Sequence, residues 1–218
     1  MKDILPPGHD NRDTDLSTAD APSVNDLGAL VGSRICHDLT NPLGAIGNGL
    51  ELLELTGATD SPEMALIAQS VAQAKARVQF LRVAFGAASA GHRMGGAELA
   101  RMVADHTTGG RTAVRWLCPE EVPRIEARLA FLLLMCVETA LPFGGQIDVE
   151  RTAQGWHIAA QTSRIRDLGA LWDGLSGRAP LPHLGPPQVH FALAVETART
   201  LGRPITVDVG TEHLTLTA

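Results

Sequence analysis

Leu27, Val31, Ile35, Leu39, Leu43, Ile46, Leu50 and Leu53 recur at spacings of three and four. At roughly 100° per residue on a helical wheel they fall in one stripe about 160° wide. Such a pattern fits neither a strand nor a loop, so it predicts a long amphipathic helix that buries one face. Residues 56–62 read as a turn, with Gly57 ending that helix, Ser61 capping the next and Pro62 at its first position. Beyond it, Ile67, Val71, Ala74, Val78, Leu81 and Phe85 alternate spacings of four and three, a heptad seam. Two antiparallel helices cannot bury such stripes well alone, and a hairpin of this length most simply pairs with a copy of itself as a four-helix bundle. A homodimer is therefore expected, with the seam as packing and not as a site.

The other face of the first helix carries Arg34, His37, Asn41, Gly44, Asn48 and Glu51, with Asp38 at the border. An exposed histidine is by itself ordinary surface chemistry. Its neighbours give this one a role. The Asp38 carboxylate can accept a hydrogen bond from one ring nitrogen, fix the tautomer and leave the other nitrogen nucleophilic. An imidazole of pKa near ~6.5 is already mostly neutral at neutral pH. Asn41, one turn on, can donate hydrogen bonds to a phosphoryl oxygen, and Arg34, one turn back, can meet negative charge. Gly44 removes a side chain where another protein's backbone would approach, and Pro42 deletes a backbone donor just beyond the histidine. Together these residues describe a phosphoacceptor.

The string His37-Asp38-Leu39-Thr40-Asn41-Pro42-Leu43 resembles the H-box of two-component histidine kinases: His, acidic, any, any, Asn or Thr, Pro, Leu. The longer stretch from Leu30 to Leu53 is similar to ChpT-type histidine phosphotransferases of bacterial phosphorelays, and the likeness extends more weakly along the rest of the chain. This resemblance implies a fold of the α+β class. Its parts are an N-terminal antiparallel helical hairpin, dimerising into a four-helix bundle, and an α/β sandwich domain like the ATP-binding domain of histidine kinases.

The remaining composition agrees. A net charge of -6, with lysine only at Lys2 and Lys75, gives no reason to expect nucleic-acid binding. Cys36, Cys118 and Cys136 are too scattered for a disulfide framework or a zinc pattern, which suits a reducing cytoplasm. No apolar run has the length of a membrane span and no signal-peptide pattern opens the chain, so a cytoplasmic protein without membrane partners is expected. Residues 1–22 read as a disordered tail, 23–91 as the phosphoacceptor and dimerisation hairpin, and 95–218 as the α/β domain. Within the last, the patterns predict helices at Gly96 to Thr107, Arg124 to Leu141 and Pro187 to Leu201. Strands are predicted at Ala113 to Leu117, Gln146 to Thr152, Trp156 to Gln161, Ile205 to Val209 and His213 to Thr217.

A kinase of the resembled class needs an Asn on the long helix for Mg²⁺, an Asp-x-Gly-x-Gly loop for adenine and a Gly-rich phosphate loop. Here the long helix ends Cys136-Val137-Glu138-Thr139-Ala140-Leu141. The stretch 163–176 holds Asp167-Leu168-Gly169 and Asp173-Gly174 but no Asp-x-Gly-x-Gly, and the last helix opens with bulky Val189-His190-Phe191. The expectation is a domain that has lost ATP and binds no cofactor. His37 would then be charged by an aspartyl phosphate on the receiver domain of a hybrid histidine kinase and would pass the group to a response regulator, each receiver bringing its own Mg²⁺. Docking would use the bundle below His37 at Gly44, Gly47 and Asn48, with the C-terminal domain as a rim. His183 and His190 read as ordinary. The alternatives are a divergent ATP-dependent histidine kinase or phosphatase, and a non-catalytic dimeric scaffold.

Overall fold

The structure is a computed structural model that describes residues 40, 43–44, 46–55, 62–88 and 91–218. Residues 40, 43–44 and 46–55 are helical, and 46–55 are called α1 below. The expected tail, the start of the first helix and the turn at 56–61 lie outside the described residues. Next comes α2 (Pro62–Phe85), followed by β1 (Arg93–Met94), α3 (Gly96–Thr107), β2 (Thr112–Trp116), β3 (Val122–Pro123) and α4 (Arg124–Thr139). The second half holds β4 (Gly145–Thr152), β5 (Gly155–Gln161), α5 (Ala170–Leu175), a 3-10 turn (Pro186–Gln188), α6 (Val189–Thr200), β6 (Thr206–Val209) and β7 (His213–Thr217).

Five strands form one mixed sheet in the order β2-β4-β5-β7-β6, with β2 and β4 parallel and the other pairs antiparallel. The period-2 alternation turns Ile147, Val149, Ile158, Ala160, Leu214 and Leu216 inward. In register these make two apolar rows, Val149–Ile158–Leu216 and Ile147–Ala160–Leu214. Between these rows and the other helices runs α4, apolar almost all round, with Leu129 to Leu134 fully buried. The chain leaves α4 through Pro142-Phe143-Gly144-Gly145. Gly144 has a left-handed φ of 80°, and a Cβ there would collide with the Arg111 backbone, so only glycine fits. The buried Glu126 carboxylate ties the start of α4 to the sheet: it accepts from Trp156 Nε1 at 3.0 Å and from Arg203 Nη2 at 2.8 Å.

The second hairpin helix does not stand apart from this layer. Phe80 is fully buried, its ring stacked on His106 of α3 at 3.9 Å and on Phe131 of α4 at 4.6 Å, and Val83 and Ala84 join the same core. At the C-terminal end of α2, where helical carbonyls lack partners, the Arg124 guanidinium donates to Val83 O at 2.7 Å and Arg82 O at 2.5 Å. Burial lowers the pKa of Arg124 to about 10, so it stays charged at neutral pH.

Most predicted elements are present within a residue or two, and α3 and β7 have the predicted bounds. Three features differ. The heptad seam is not the most buried face of α2: Ile67 is 45% exposed, Val71, Ala74, Leu81 and Phe85 are half-buried and only Val78 is buried, whereas Ala76, Phe80, Val83 and Ala84 are all buried. The helix carries apolar residues on two sides, and the one matching no heptad meets the C-terminal layer. The short α5 and the two-residue β1–β3 ladder were not expected, because neither is long enough to show a period. Truncating Phe80 to Ala removes the ring that joins α2, α3 and α4. The expected cost is about 3–5 kcal/mol in urea denaturation.

Candidate functional site

His37, the expected phosphoacceptor, and its neighbours Arg34, Asp38 and Asn41 lie outside the described residues. Their geometry is therefore what the sequence gives, and the structure begins one turn further on. Thr40 is helical and exposed, and Gly44 is helical with open space where a Cβ would stand. Asn48 is exposed, as expected of a partner-facing position. Gly47 differs. It is buried, and a Cβ there would collide with Nζ of Lys75 from α2 and lie 3.1 Å from its Cε and 3.7 Å from Val71 Cγ1. Its missing side chain makes room for a lysine crossing from the second helix, which was not anticipated. Leu50 is buried and Leu43 half-buried toward the interior, but Ile46 is 49% exposed, and Leu53 of the same stripe is exposed too.

The second region is where the end of α4, the 163–176 stretch and the start of α6 converge, the three places at which a kinase would carry its nucleotide devices. Buried side chains fill it. Thr139, on the last turn of α4, has its Oγ1 3.2 Å from His190 Nε2 of α6. Next to His190, Phe191 meets the Trp172 ring of α5 edge-on at 5.8 Å, and both are buried. Leu181 closes over Gly174, where any Cβ would crowd its side chain. The 163–176 stretch is also tied back to α4, since Arg166 N–H donates to Ala140 O at 2.9 Å.

His190 is 3% exposed, and burial lowers its pKa to about 4, the nearby Glu138 carboxylate opposing this only in part. It is thus a neutral packing group, as the sequence suggested, while His183 is exposed. Beside it a cleft of about 370 Å³ separates α2 from the ends of α3 and α4, lined by Arg77, Phe80, His106, Glu138 and Thr139 among others. Within it His106 Nε2 lies 3.7 Å from Glu138 Oε2. Among the described residues no group of three or more His, Cys, Asp or Glu is arranged to hold a metal ion.

A third surface was invisible in the sequence. The turn after α4 holds Phe143 60% exposed beside Arg164 and Arg166, around a shallow cleft of about 380 Å³. Thr162 Oγ1 donates to Gly144 O at 2.6 Å and Gly145 N–H to Arg111 O at 3.2 Å, so this aromatic sits on a well-tied turn. An apolar ring flanked by two guanidinium groups suits an acidic protein surface.

Comparison with known proteins gives this arrangement a class. A family model described as the histidine phosphotransferase C-terminal domain matches residues 96–213, which is more than half of the chain. The chain belongs to the histidine phosphotransferase family. The protein phosphotransferase ChpT of Brucella abortus (strain 2308) is 42% identical over 129 residues, covering 58% of this chain and 61% of that protein. The chain thus aligns with about three-fifths of the length of that relative. A solved structure described as a bacterial phosphotransferase is 28% identical with a TM-score of 0.62, covering 90% of this chain and 97% of that one. These matches bear out the resemblance drawn from the His37 segment.

The buried His190 makes stability depend on pH. Its folded pKa lies below the unfolded value, so the unfolded chain binds the extra proton between about pH 6.5 and 4, and stability falls as pH drops through that window. From pH 6.5 to 5 the loss attributable to this site is about 2 kcal/mol. Urea denaturation of His190→Gln, compared with the parent at both pH values, should show a pH dependence flatter by that amount.

Proposed function

We propose that the chain is a histidine phosphotransferase that relays a phosphoryl group between receiver-domain aspartates through His37, without using ATP. The observation that carries this reading, beyond family membership, is the filled region between α4, α5 and α6. There the Thr139–His190 contact and the Trp172–Phe191 pair pack where the resembled kinases would carry their nucleotide devices, which supports a reading without ATP. A chain with no nucleotide of its own depends on an outside donor. The donor proposed is the receiver of a hybrid histidine kinase, and the acceptor is the receiver of a response regulator.

In the first step the lone pair of the unprotonated His37 nitrogen forms the P–N bond. The P–O bond to the donor aspartate breaks, and the carboxylate leaves with its electron pair. Asp38 accepts the hydrogen bond from the other ring N–H and offsets the positive charge that develops on the imidazole. The second step is the reverse, onto a different aspartate. Asn41 and Arg34 hold the transferring oxygens, and the receiver supplies the Mg²⁺ that neutralises them. No nucleotide or metal is assigned to this chain.

The same reading makes the protein a homodimer through its hairpin. Ile46 and Leu53 on α1 and Ile67 on α2 are large apolar side chains exposed in the single chain, and a second copy covers them in a four-helix bundle. Gly44 and Asn48 then face the incoming receiver, with Phe143, Arg164 and Arg166 as a rim on the C-terminal domain. No helix among the described residues is long and apolar enough to cross a membrane, and a cytoplasmic setting is part of the proposal.

Two experiments test it. Incubation with labelled ATP alone should leave the protein unlabelled, while a phosphorylated receiver should transfer label to it within the assay. In His37→Ala that transfer should vanish with the dimer intact by sedimentation, and in Asp38→Asn it should slow with receiver binding retained. Self-phosphorylation from ATP, or undiminished phosphate flow through His37→Ala, would favour the kinase or scaffold alternatives. For the assembly, Ile46→Glu combined with Ile67→Glu should give a monomer whose α/β domain still folds.

A further inference from the structure

Arg124 is a buried cation whose surroundings are themselves cationic. Only 7% exposed, it donates to the carbonyls of Val83 and Arg82 at the end of α2. That cap explains why an arginine stands at the helix end. It does not explain the charges gathered around it. Burial, then the guanidinium groups of Arg128 and Arg82, lower its pKa, and no carboxylate among the described residues acts against them. A buried charge is ordinarily paired with an opposite one. Arg128, one turn further along α4, has Glu196 to support its charge. Among the described residues Arg124 has only carbonyl acceptors.

A cleft of about 250 Å³ opens beside this guanidinium, between the end of α2, β1 and the first turns of α3 and α4. Arg82, His92, Arg93 and Arg124 line it, together with the apolar Met94 and Met102. Against three guanidinium groups the lining holds one carboxylate, the exposed Glu98. Arg93 is already engaged, its Nε 3.0 Å from Glu121 Oε2. Arg82 and Arg124 are thus the charges that an anion would meet. Gly86 keeps their approach open, because a Cβ there would collide with Arg82 O and stand 3.4 Å from Arg124 Nη2.

We propose that this cleft binds a small phosphate-bearing molecule, its phosphate held by Arg82 and Arg124 with His92 beside them. A phosphate dianion suits the site better than a carboxylate, since it offsets two guanidinium groups at once and offers more oxygens to their planar forks. Met94 and Met102 give an organic remainder an apolar surface to lie on. Arg82 belongs to α2 and Arg124 to α4, so the occupant bridges the hairpin helix and the α/β layer and stabilises their joint. The site is separate from the relay through His37 and does not depend on that reading.

The test is calorimetric titration of the full chain with pyrophosphate, inorganic phosphate, phenyl phosphate and acetate, at an ionic strength held constant with potassium chloride. Saturable binding of the phosphates at one site per chain is expected, weakened about tenfold in Arg82→Ala and unchanged within about twofold in Arg101→Ala, an exposed arginine of α3 outside the cleft. The thermal midpoint should rise with pyrophosphate in the parent and not in Arg82→Ala. Arg82 is exposed and meets Arg124 through its carbonyl, so the truncated chain keeps that contact. Ala87→Glu, which adds a carboxylate to the lining and removes no guanidinium, should abolish binding as well. Tighter binding of phenyl phosphate than of inorganic phosphate would identify an organic ester as the occupant, and equal binding the free anion, either one supporting the site. Absence of saturable binding, an affinity that Arg82→Ala and Ala87→Glu leave unchanged, or acetate bound as tightly as phosphate would overturn the inference.

Discussion

The architecture depends on the docking of one half-helix. Phe80 inserts its ring between His106 and Phe131, and Arg124 closes the end of α2 by donating to its last carbonyls. Dispersion and burial hold the side of the helix, while charge-assisted hydrogen bonds hold its end. Neither group can leave without exposing a fully buried ring or an unpaired guanidinium, so the hairpin's second helix and the α/β layer share one core. The hairpin is thereby oriented by the domain that follows it.

The region between α4, α5 and α6 is packed by side chains from all three helices. The long helix, the connecting stretch and the last helix keep their places. Their meeting point holds a threonine hydroxyl against a buried imidazole, and an indole edge-on to a phenyl ring. Burial keeps that imidazole neutral at neutral pH. Polar capacity moved outward, to Arg164 and Arg166 beside the exposed Phe143.

Much of the C-terminal layer was legible in the sequence because its periods are clean: α3 and β7 have the predicted bounds, and α4 fails only in its last two residues. Short elements were not legible. A six-residue helix such as α5, or a two-residue ladder, is too brief to show a period, and tertiary contacts alone decide it. The hairpin misled in a different way. A heptad seam and a second apolar face coexist on α2, and the pattern does not say which one meets which partner. Lys75 over Gly47 was illegible for a related reason, since it depends on the stagger between two antiparallel helices. The proposed phosphoacceptor is the converse case. His37, Asp38, Asn41 and Pro42 point to a chemistry by their spacing in the sequence alone.

The single parallel pairing in the sheet imposes an order of assembly. The antiparallel pairs β4–β5 and β6–β7 are joined by tight turns and can close early, but β2 reaches β4 only across the span that contains β3 and the whole of α4. Loop-closure entropy delays such a contact until the intervening helix is in place. Because β2 follows directly on α3, and α3 carries the histidine that stacks on Phe80, seating that edge strand also completes the seat for α2. The helix that Phe80 anchors thus finds its bearing only once α4 and this edge of the sheet are in place.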